Sequence, residues 1–251
     1  MKSKDKLFAH HKNHRHRIIY TFAHTKVNFT VRLSTVMEND LLIEKIQPNE
    51  FDQVTTILTD AFISNPAYSI IFKNKDQLKE GLLWLFKSNL FILNRHETLT
   101  SVIKEKHSGK IIGTFTIIPP QGIKKELSDY LKVGIPGFIM RFGIDPLFRM
   151  LKLDEYCKEL LTKSIESNKY YYLHMVVVQK EWRGKGIGSY AIKSALEKLA
   201  STNPSCKLLG LTTQLPENVI FYSKLGFDKL DEGYVYFKKD KYYNYNMKIR
   251  L

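Results

Sequence analysis

The sequence predicts one mixed α/β domain, with a single central mixed sheet flanked by helices. From Leu41 onward, strand-like and helix-like segments follow in the order β-α-α-β-β-insert-β-α-β-α-β-β. Residues 170–179 are a nearly unbroken β-branched and aromatic run, which is typical of a strand buried on both faces. Residues 182–188 then pass through three alternating glycines into a helical pattern. A buried strand that turns sharply into a helix is the central feature of this prediction.

The composition is that of a globular protein, since 43% of the 251 residues are hydrophobic and 25% are charged. No stretch approaches the roughly 20 consecutive apolar residues of a membrane span. No apolar run of a signal peptide follows the lysines near the N-terminus. Cys157 and Cys206 fit neither a CxxC pair nor a zinc framework. We therefore expect two free thiols, no metal site, no membrane association and a cytoplasmic protein.

The net charge of +14 raises the question of nucleic-acid binding. Residues 1–39 hold eight Lys or Arg against Asp5 and Glu38, which is 8 − 2 = +6, and five of the eight histidines. The other +8 is scattered without a nucleic-acid-binding motif, so we do not expect a nucleic-acid partner. We expect residues 1–39 to be a poorly ordered basic, His-rich tail and residues 40–251 to be the folded domain. Met37 as the true start, a targeting peptide, or a metal- or nucleic-acid-binding arm are the alternatives for the tail.

The first half of the domain alternates strand and helix signals. Residues 41–46 have a strand pattern. The next helix is expected to be capped by Asn49 and to end at Asn65-Pro66. Its apolar positions recur at helical spacing: Phe51, Val54, Ile57, Leu58, Ala61 and Phe62. A second helix is expected over residues 76–93, and a hairpin with strands 99–104 and 111–118 turns at Ser108-Gly109.

The second half begins with a segment, residues 121–168, in which Gly and Pro punctuate short apolar pieces before a clearer helix at 154–165. An insert of this length between two strands is usually functional, so we expect it to form part of a wall of a substrate-binding site, with contributions from Phe138, Phe142 and Phe148. The remaining elements are expected as a helix to about residue 200, a strand at 208–214, a helix at 218–224, and strands at 234–238 and 243–249.

The turn Arg183-Gly184-Lys185-Gly186-Ile187-Gly188 has the features of a pyrophosphate-binding loop. Glycines let backbone N–H groups approach a ligand, and the N-terminus of a helix favours an anion. A P-loop would need GxxxxGK followed by Ser or Thr, which is absent. A dinucleotide-binding GxGxxA can be read at residues 186–191, but Leu211 and Thr212 stand where its acidic ribose-binding residue belongs. The bland interpretation is a strand–helix turn that binds nothing.

The loop also matches R/Q-x-x-G-x-G/A, the cofactor signature of the GNAT N-acetyltransferases, through Arg183, Gly186 and Gly188. About thirty residues later, Asn218 to Phe227 (NVIFYSKLGF) resembles the second signature of that superfamily. The chain is therefore identified by resemblance as a GNAT acetyltransferase, most similar to small-molecule enzymes of the puromycin N-acetyltransferase type. Those have Leu-Glu-Thr where this chain has Leu211-Thr212-Thr213.

The resemblance implies acetyl-CoA as cosubstrate, without a metal. It assigns the pantetheine arm to the backbone of Met175, Val176, Val177 and Val178, with the Val176 N–H polarising the thioester carbonyl. It assigns the pyrophosphate to Arg183, Gly184, Lys185, Gly186, Ile187 and Gly188. Asn218 is expected to cap its helix and to fix the pantetheine arm. Ordinary core packing is the alternative for the strand residues, and both roles can hold together.

Two side chains are candidates for the chemistry. The leaving thiolate needs a proton, which the Tyr222 phenol can supply; the alternative is a core aromatic. His174 lies two residues before Val176, so it is expected on the same face of the strand. A histidine stands at the corresponding place in arylalkylamine acetyltransferases, and here it is the candidate base for the amine, with a structural histidine or a water as the alternatives.

The function implied is acetyl transfer from acetyl-CoA to a primary amine of a small molecule, by direct attack in a ternary complex. Protein N-acetylation and a catalytically silent CoA-binding module are the alternatives. The protein is expected to be a monomer or a homodimer.

Overall fold

The computed structural model describes residues 40–165, 167, 169–202 and 206–251, and the predictions about residues 1–39 lie outside this part of the chain. The described strands are β1 (Leu41–Lys45), β2 (Thr100–Glu105), β3 (Ile111–Ile118), β4 (Tyr171–Val178), β5 (Leu208–Thr213), β6 (Asp228–Phe237) and β7 (Asp240–Arg250). The described α-helices are α1 (Phe51–Phe62), α2 (Pro66–Ile71), α3 (Lys75–Leu93), α4 (Leu127–Lys132), α5 (Ile135–Phe142), α6 (Ile144–Ile165), α7 (Ile187–Thr202) and α8 (Pro216–Lys224).

The seven described strands form one sheet in the order β1-β2-β3-β4-β5-β7-β6. Neighbours are antiparallel except β4 and β5, which are parallel and connected through α7. The predicted mixed sheet and the predicted order of its strands are confirmed, and the structure contains additional helices between them. The helix α7 carries the chain back to the end of the sheet at which β4 begins, so that β5 can run parallel to β4.

Two hydrophobic cores cover the two faces of this sheet. One core joins α1, α2, α3, α5 and α6 to the sheet, and Met175 and Val177 of β4 point into it. The other core lies under α7 and α8, and Phe115 of β3 and Leu173 of β4 belong to it. The central strand β4 therefore contributes side chains to both layers, and its residues alternate between buried and half-buried rather than being buried throughout as predicted.

The expected cap of α1 is wrong. A 3-10 helix, Pro48–Glu50, precedes α1, and Gln47 is its cap. The Gln47 main-chain N–H donates to the Glu50 carboxylate at 2.8 Å. Gln47 and Glu50 therefore form the cap that was expected of Asn49. The break at Asn65-Pro66 is present, but Asn65 caps a short new helix, α2, which the apolar pattern had not revealed.

The segment 121–168 contains more helix than predicted. The helices α4 and α5 occupy its first part, and α6 begins at Ile144, ten residues before the predicted start. A buried arginine explains the difference. Arg149 is buried against the main-chain oxygen of Ile70, and its charge is balanced by Asp145 and Asp240. A charged residue on the apolar face hides the helical period from a reading of the sequence.

No described helix has both the length and the apolar character needed to cross a membrane.

We predict that Gly113→Ala in β3 destabilises the protein. An added Cβ would lie 2.6 Å from the main-chain oxygen of Val177, and neither strand can move without breaking the sheet. The free energy of unfolding in urea is expected to fall by about 1–3 kcal/mol. Gly137→Ala is the control, because a Cβ there meets nothing within 4 Å and lies in α5, where alanine is the better helix former. Equal effects of the two substitutions would contradict this account of the β3–β4 contact.

Candidate active site

The two parallel strands at the centre of the sheet diverge. β4 pairs with β5 only at Tyr171↔Leu209 and Tyr172↔Gly210. β5 continues to pair with β7 as far as Thr213, and β4 continues to pair with β3 as far as Val178. From Leu173 onward, the edge of β4 that faces β5 therefore has no strand partner in the described part of the chain. Its N–H and C=O groups are available to an extended ligand with amide groups.

A bulge interrupts β4 at the same level. The register with β3 shifts between Thr114 and Thr116, and Met175 adopts a positive φ of 51°. Two residues of β4, Met175 and Val176, thus stand opposite one of β3, Phe115. The expectation that His174 and Val176 share a face is wrong for this reason. His174 pairs with Thr116 and Val177 pairs with Thr114 on one face, whereas Val176 packs in the core under α7 and α8.

The loop at the end of β4 opens onto the N-terminus of α7. Gly184 and Gly186 have φ values of 76° and 80°, which side chains with a Cβ rarely adopt. Gly188 is constrained by packing, because a Cβ there would lie 3.3 Å from the Phe221 ring of α8. Within the described residues, no acceptor takes the backbone N–H groups of residues 184–188. Several unpaired donors at the positive end of a helix dipole form a site that fits a pyrophosphate.

Two cations border this loop. The Nε of Arg183 donates to the main-chain oxygen of Val178 at 2.8 Å, which fixes the guanidinium beside the end of β4. Lys185 Nζ lies 4.5 Å from the centre of the Trp182 ring. Both charges add to the helix dipole in favour of an anion. Among the described residues, no group of three or more His, Cys, Asp and Glu gathers as metal ligands would.

Asn218 lies inside α8 rather than at its cap, so the predicted capping role is wrong. Leu215 is at the cap position and provides no side-chain bond. The Nδ2 of Asn218 donates instead to Thr213 Oγ1 at 2.9 Å, at the last residue of β5. This bond ties the helix to the diverging end of β5, and no described residue donates to the remaining amide oxygen of Asn218.

Tyr222 lies four residues, about one turn, further along α8 and is 7% exposed. Its ring contacts those of Phe221 and Phe227. Burial, together with the nearby Tyr172 phenol, raises the pKa of Tyr222, so the hydroxyl keeps its proton at neutral pH. No described residue bonds to this hydroxyl. The phenol is therefore protonated, oriented by its packing and not already engaged.

The ring of Tyr172 stands at the vertex of the divergence. Its hydroxyl bonds to Thr212 Oγ1 at 3.1 Å, across the gap between β4 and β5. The His174 ring stacks on Tyr172 with 5.5 Å between the ring centres. Burial lowers the pKa of His174 to about 4, because desolvation disfavours the charged ring. The Asp154 carboxylate raises this pKa, but by less than desolvation lowers it. His174 is therefore neutral at physiological pH, and it lies on the face that carries α6.

A cavity of about 400 Å³ opens on this face. Residues 118–123 form one side of it, and α6 contributes Asp154, Cys157, Lys158, Leu161 and Thr162 to the other. Tyr172 and Thr212 line its inner end, where the two strands part. Much of the lining thus comes from residues 121–168. The three phenylalanines do not, since Phe138 is in the core against Phe72 and Trp84, Phe142 packs on Phe138, and Phe148 contacts Phe237 on the surface.

Sequence reasoning missed Tyr172, Thr212 and Asp154. Tyr172 alternates with His174 along β4, and this period of two is the signal that could have revealed it. Thr212 and Asp154 carry no such signal, because they approach Tyr172 only through the packing of β5 and α6.

A family profile described as "Acetyltransferase (GNAT) family" matches residues 64–227, which includes both glycine-loop and α8 motifs. The chain belongs to the GNAT acetyltransferase family. It is accordingly an acyltransferase, an N-acetyltransferase that uses acetyl-CoA. The narrower resemblance to the puromycin type stays a prediction. No curated protein matched the chain.

Solved structures share the fold of this GNAT enzyme at low identity. A structure described as histone acetyltransferase HPA2 and related acetyltransferase from Corynebacterium glutamicum is 18% identical, with a TM-score of 0.53 over 83% of this chain and 95% of its own. A putative arylalkylamine N-acetyltransferase of the yellow fever mosquito is 10% identical, with a TM-score of 0.52 over 84% and 87%. An agmatine N-acetyltransferase is 12% identical, with a TM-score of 0.50 over 84% and 100%.

We predict that the charge added by Gly186→Glu abolishes acetyl-CoA binding, because the carboxylate would face the pyrophosphate within the loop. Gly186→Ala, which adds only backbone strain, is expected to weaken binding about tenfold. Titration calorimetry with acetyl-CoA measures both. The matched control is Gly109→Glu, which carries the same charge and a similar strain at φ 68° in the β2–β3 turn and should bind normally. Normal binding by Gly186→Glu would show that the loop does not hold the cofactor.

Proposed function

We propose that this GNAT enzyme transfers the acetyl group of acetyl-CoA to a primary amine of a small-molecule acceptor, by direct attack in a ternary complex. One observation carries the proposal. The gap between β4 and β5 begins at Tyr172 and Thr212, which also line the cavity. The glycine loop lies at the other end of this gap, where β4 ends. A cofactor and an acceptor can therefore reach the same opening from different directions.

Acetyl-CoA, when bound, supplies an activated thioester carbonyl. The free edge of Met175 to Val178 is proposed to pair with the pantetheine arm, and the Val176 N–H to donate to the thioester oxygen. Arg183 to Gly188 are proposed to bind the pyrophosphate. The free amide oxygen of Asn218 is proposed to accept a hydrogen bond from the arm. The unpaired main-chain edge and the unpaired loop donors support these roles.

The acceptor is proposed to occupy the cavity above α6. Its volume of about 400 Å³ is in the range of small-molecule sites, which bury most of their ligand. His174 does not line the cavity itself but stacks on Tyr172, which lines its inner end. Its neutral ring is proposed to accept a hydrogen bond from the attacking amine. Because its pKa is about 4, it cannot hold the proton at neutral pH and must release it to water. His174 is therefore proposed as a transient acceptor of the proton.

Screening acetyl-CoA for thiol release against amines, amino acids, polyamines, aminonucleosides and N-terminal peptides tests the proposal. Turnover with a small amine is the expected result. Turnover with peptides alone would indicate protein acetylation, and acetyl-CoA binding without any turnover would indicate a silent module.

We expect Tyr222→Phe to lower kcat by a factor on the order of 10² to 10⁴, the usual contribution of a positioned acid. The substitution removes a hydroxyl that has no described partner, so stability and acetyl-CoA affinity should persist. Steady-state kinetics with calorimetry separates these effects. Tyr234→Phe, on a half-exposed residue of β6, is the control. Full kcat in Tyr222→Phe, under conditions where chemistry limits the rate, would make Tyr222 a packing residue.

The lowered pKa of His174 predicts a specific pH profile. Since the ring is already neutral above about pH 4, kcat/KM should rise with pH only as the acceptor amine loses its own proton. His174→Ala should lower kcat/KM about tenfold or more. The factor should be the same at every pH from about 5 to 9. His107→Ala, on a mostly exposed ring of the β2–β3 turn, is the control. A limb near pH 6.5 that disappears in His174→Ala would contradict the lowered pKa.

A further inference from the structure

The cavity above α6 differs in character between its walls and its mouth. Ile118, Ile123, Leu161 and the prolines at 119 and 120 give its walls a continuous apolar part, beside which Gln121, Thr162 and Tyr170 add polar groups. Tyr172 and Thr212 close the inner end beside the diverging strands. If acetyl transfer occurs at this inner end, the acceptor lies with its amine inward, its body along the apolar walls and its far end at the mouth.

Three charged side chains of the described residues line the cavity, and their charges do not sum to zero. Asp154 and Lys158 form an ion pair at 3.0 Å on successive turns of α6, and both side chains are more than half exposed, at the solvent side of the cavity. Lys125 is also exposed and has no ion pair within the described part of the chain. Among the lining residues that the structure describes, the one carboxylate is thus already paired, and the charges sum to +1 from 2 − 1.

This arrangement discriminates between acceptors by their far end. A second ammonium would meet the unpaired Lys125, and the described lining offers it only a carboxylate that Lys158 already pairs. A neutral end meets no penalty, and a carboxylate end would be attracted. Like charges a few ångströms apart near a protein surface repel enough to alter affinity about tenfold, an effect that salt reduces.

Resting on the proposed function, we propose that the acceptor is a primary amine with an apolar body and a neutral or anionic far end, and that Lys125 excludes acceptors with a second ammonium. The apolar walls select the body, and the mouth selects the charge at its end. Polyamines and other dications are therefore poor acceptors of this enzyme.

Three amines with the same six-carbon chain test the proposal: hexylamine, hexamethylenediamine and ε-aminocaproate. They share the reacting amine and a six-carbon chain, and they differ in the group at the far end, which is a methyl, an ammonium or a carboxylate. The kcat/KM for thiol release from acetyl-CoA is measured with each amine, at low and high salt. We expect kcat/KM for hexylamine to be about tenfold or more above that for the diamine, after the diamine value is halved for its two amines. The kcat/KM for ε-aminocaproate should at least equal that for hexylamine. Both differences should become smaller at high salt.

Substitution at the mouth makes the test specific. Lys125→Glu should raise kcat/KM for the diamine about tenfold and lower it for ε-aminocaproate, with little change for hexylamine. Lys124→Glu is the matched control, since Lys124 is exposed and adjacent in the chain but does not line the cavity. Lys124→Glu should leave kcat/KM for each of the three amines within about twofold of that of the unaltered protein.

The outcomes separate this proposal from the function on which it rests. Preference of the unaltered protein for the diamine, or equal effects of Lys125→Glu and Lys124→Glu, would overturn the proposed selectivity while leaving acetyl transfer to small amines in place. Binding of acetyl-CoA without thiol release in the presence of any small amine would overturn the proposed function, and the selectivity with it.

Discussion

The loss of pairing between β4 and β5 is the constraint on which the site depends. Only two residue pairs join the parallel strands before each continues with its outer neighbour. The glycine loop is attached to the end of β4, and Asn218 of α8 is bonded to the end of β5 through Thr213. Tyr172 spans the vertex to Thr212. Any change in the divergence would therefore move the loop, the Tyr222 helix and the inner end of the cavity together.

The bulge at Met175 changes which residues of β4 face each layer of helices. Before it, Tyr172 and His174 face the layer that holds the cavity; after it, Val176 and Val178 face the layer of α7 and α8. A residue with a Cβ at positive φ is strained by about 1–2 kcal/mol, so the surrounding strands must hold it in place.

The segment 121–168 is anchored to the C-terminal strands as well as to the sheet. Arg149 of α6 reaches Asp240 at the start of β7, and the Cys157 thiol lies 3.0 Å from the Tyr242 hydroxyl. Along the same helix, Asp154, Leu161 and Thr162 line the cavity. The helix that supplies one wall of the proposed acceptor site is thus held by β7, which pairs directly with β5. This connects the wall to the diverging strand β5, whose last residue, Thr213, is bonded to Asn218 of α8.

The sequence by itself determined the order of the elements, the mixed sheet, the glycine loop and the family, because these depend on local periodicity and on short motifs whose residues are adjacent in the chain. It also identified Tyr222 and His174 as candidates. Only the tertiary structure decided which face His174 occupies, since a bulge depends on the partner strand and leaves no local pattern. The same holds for the bond of Asn218 to Thr213, the helical start of α6 hidden by buried Arg149, and the lowered pKa of His174. Each of these arises from contacts between residues distant in the chain, where burial and neighbouring charge override local preference.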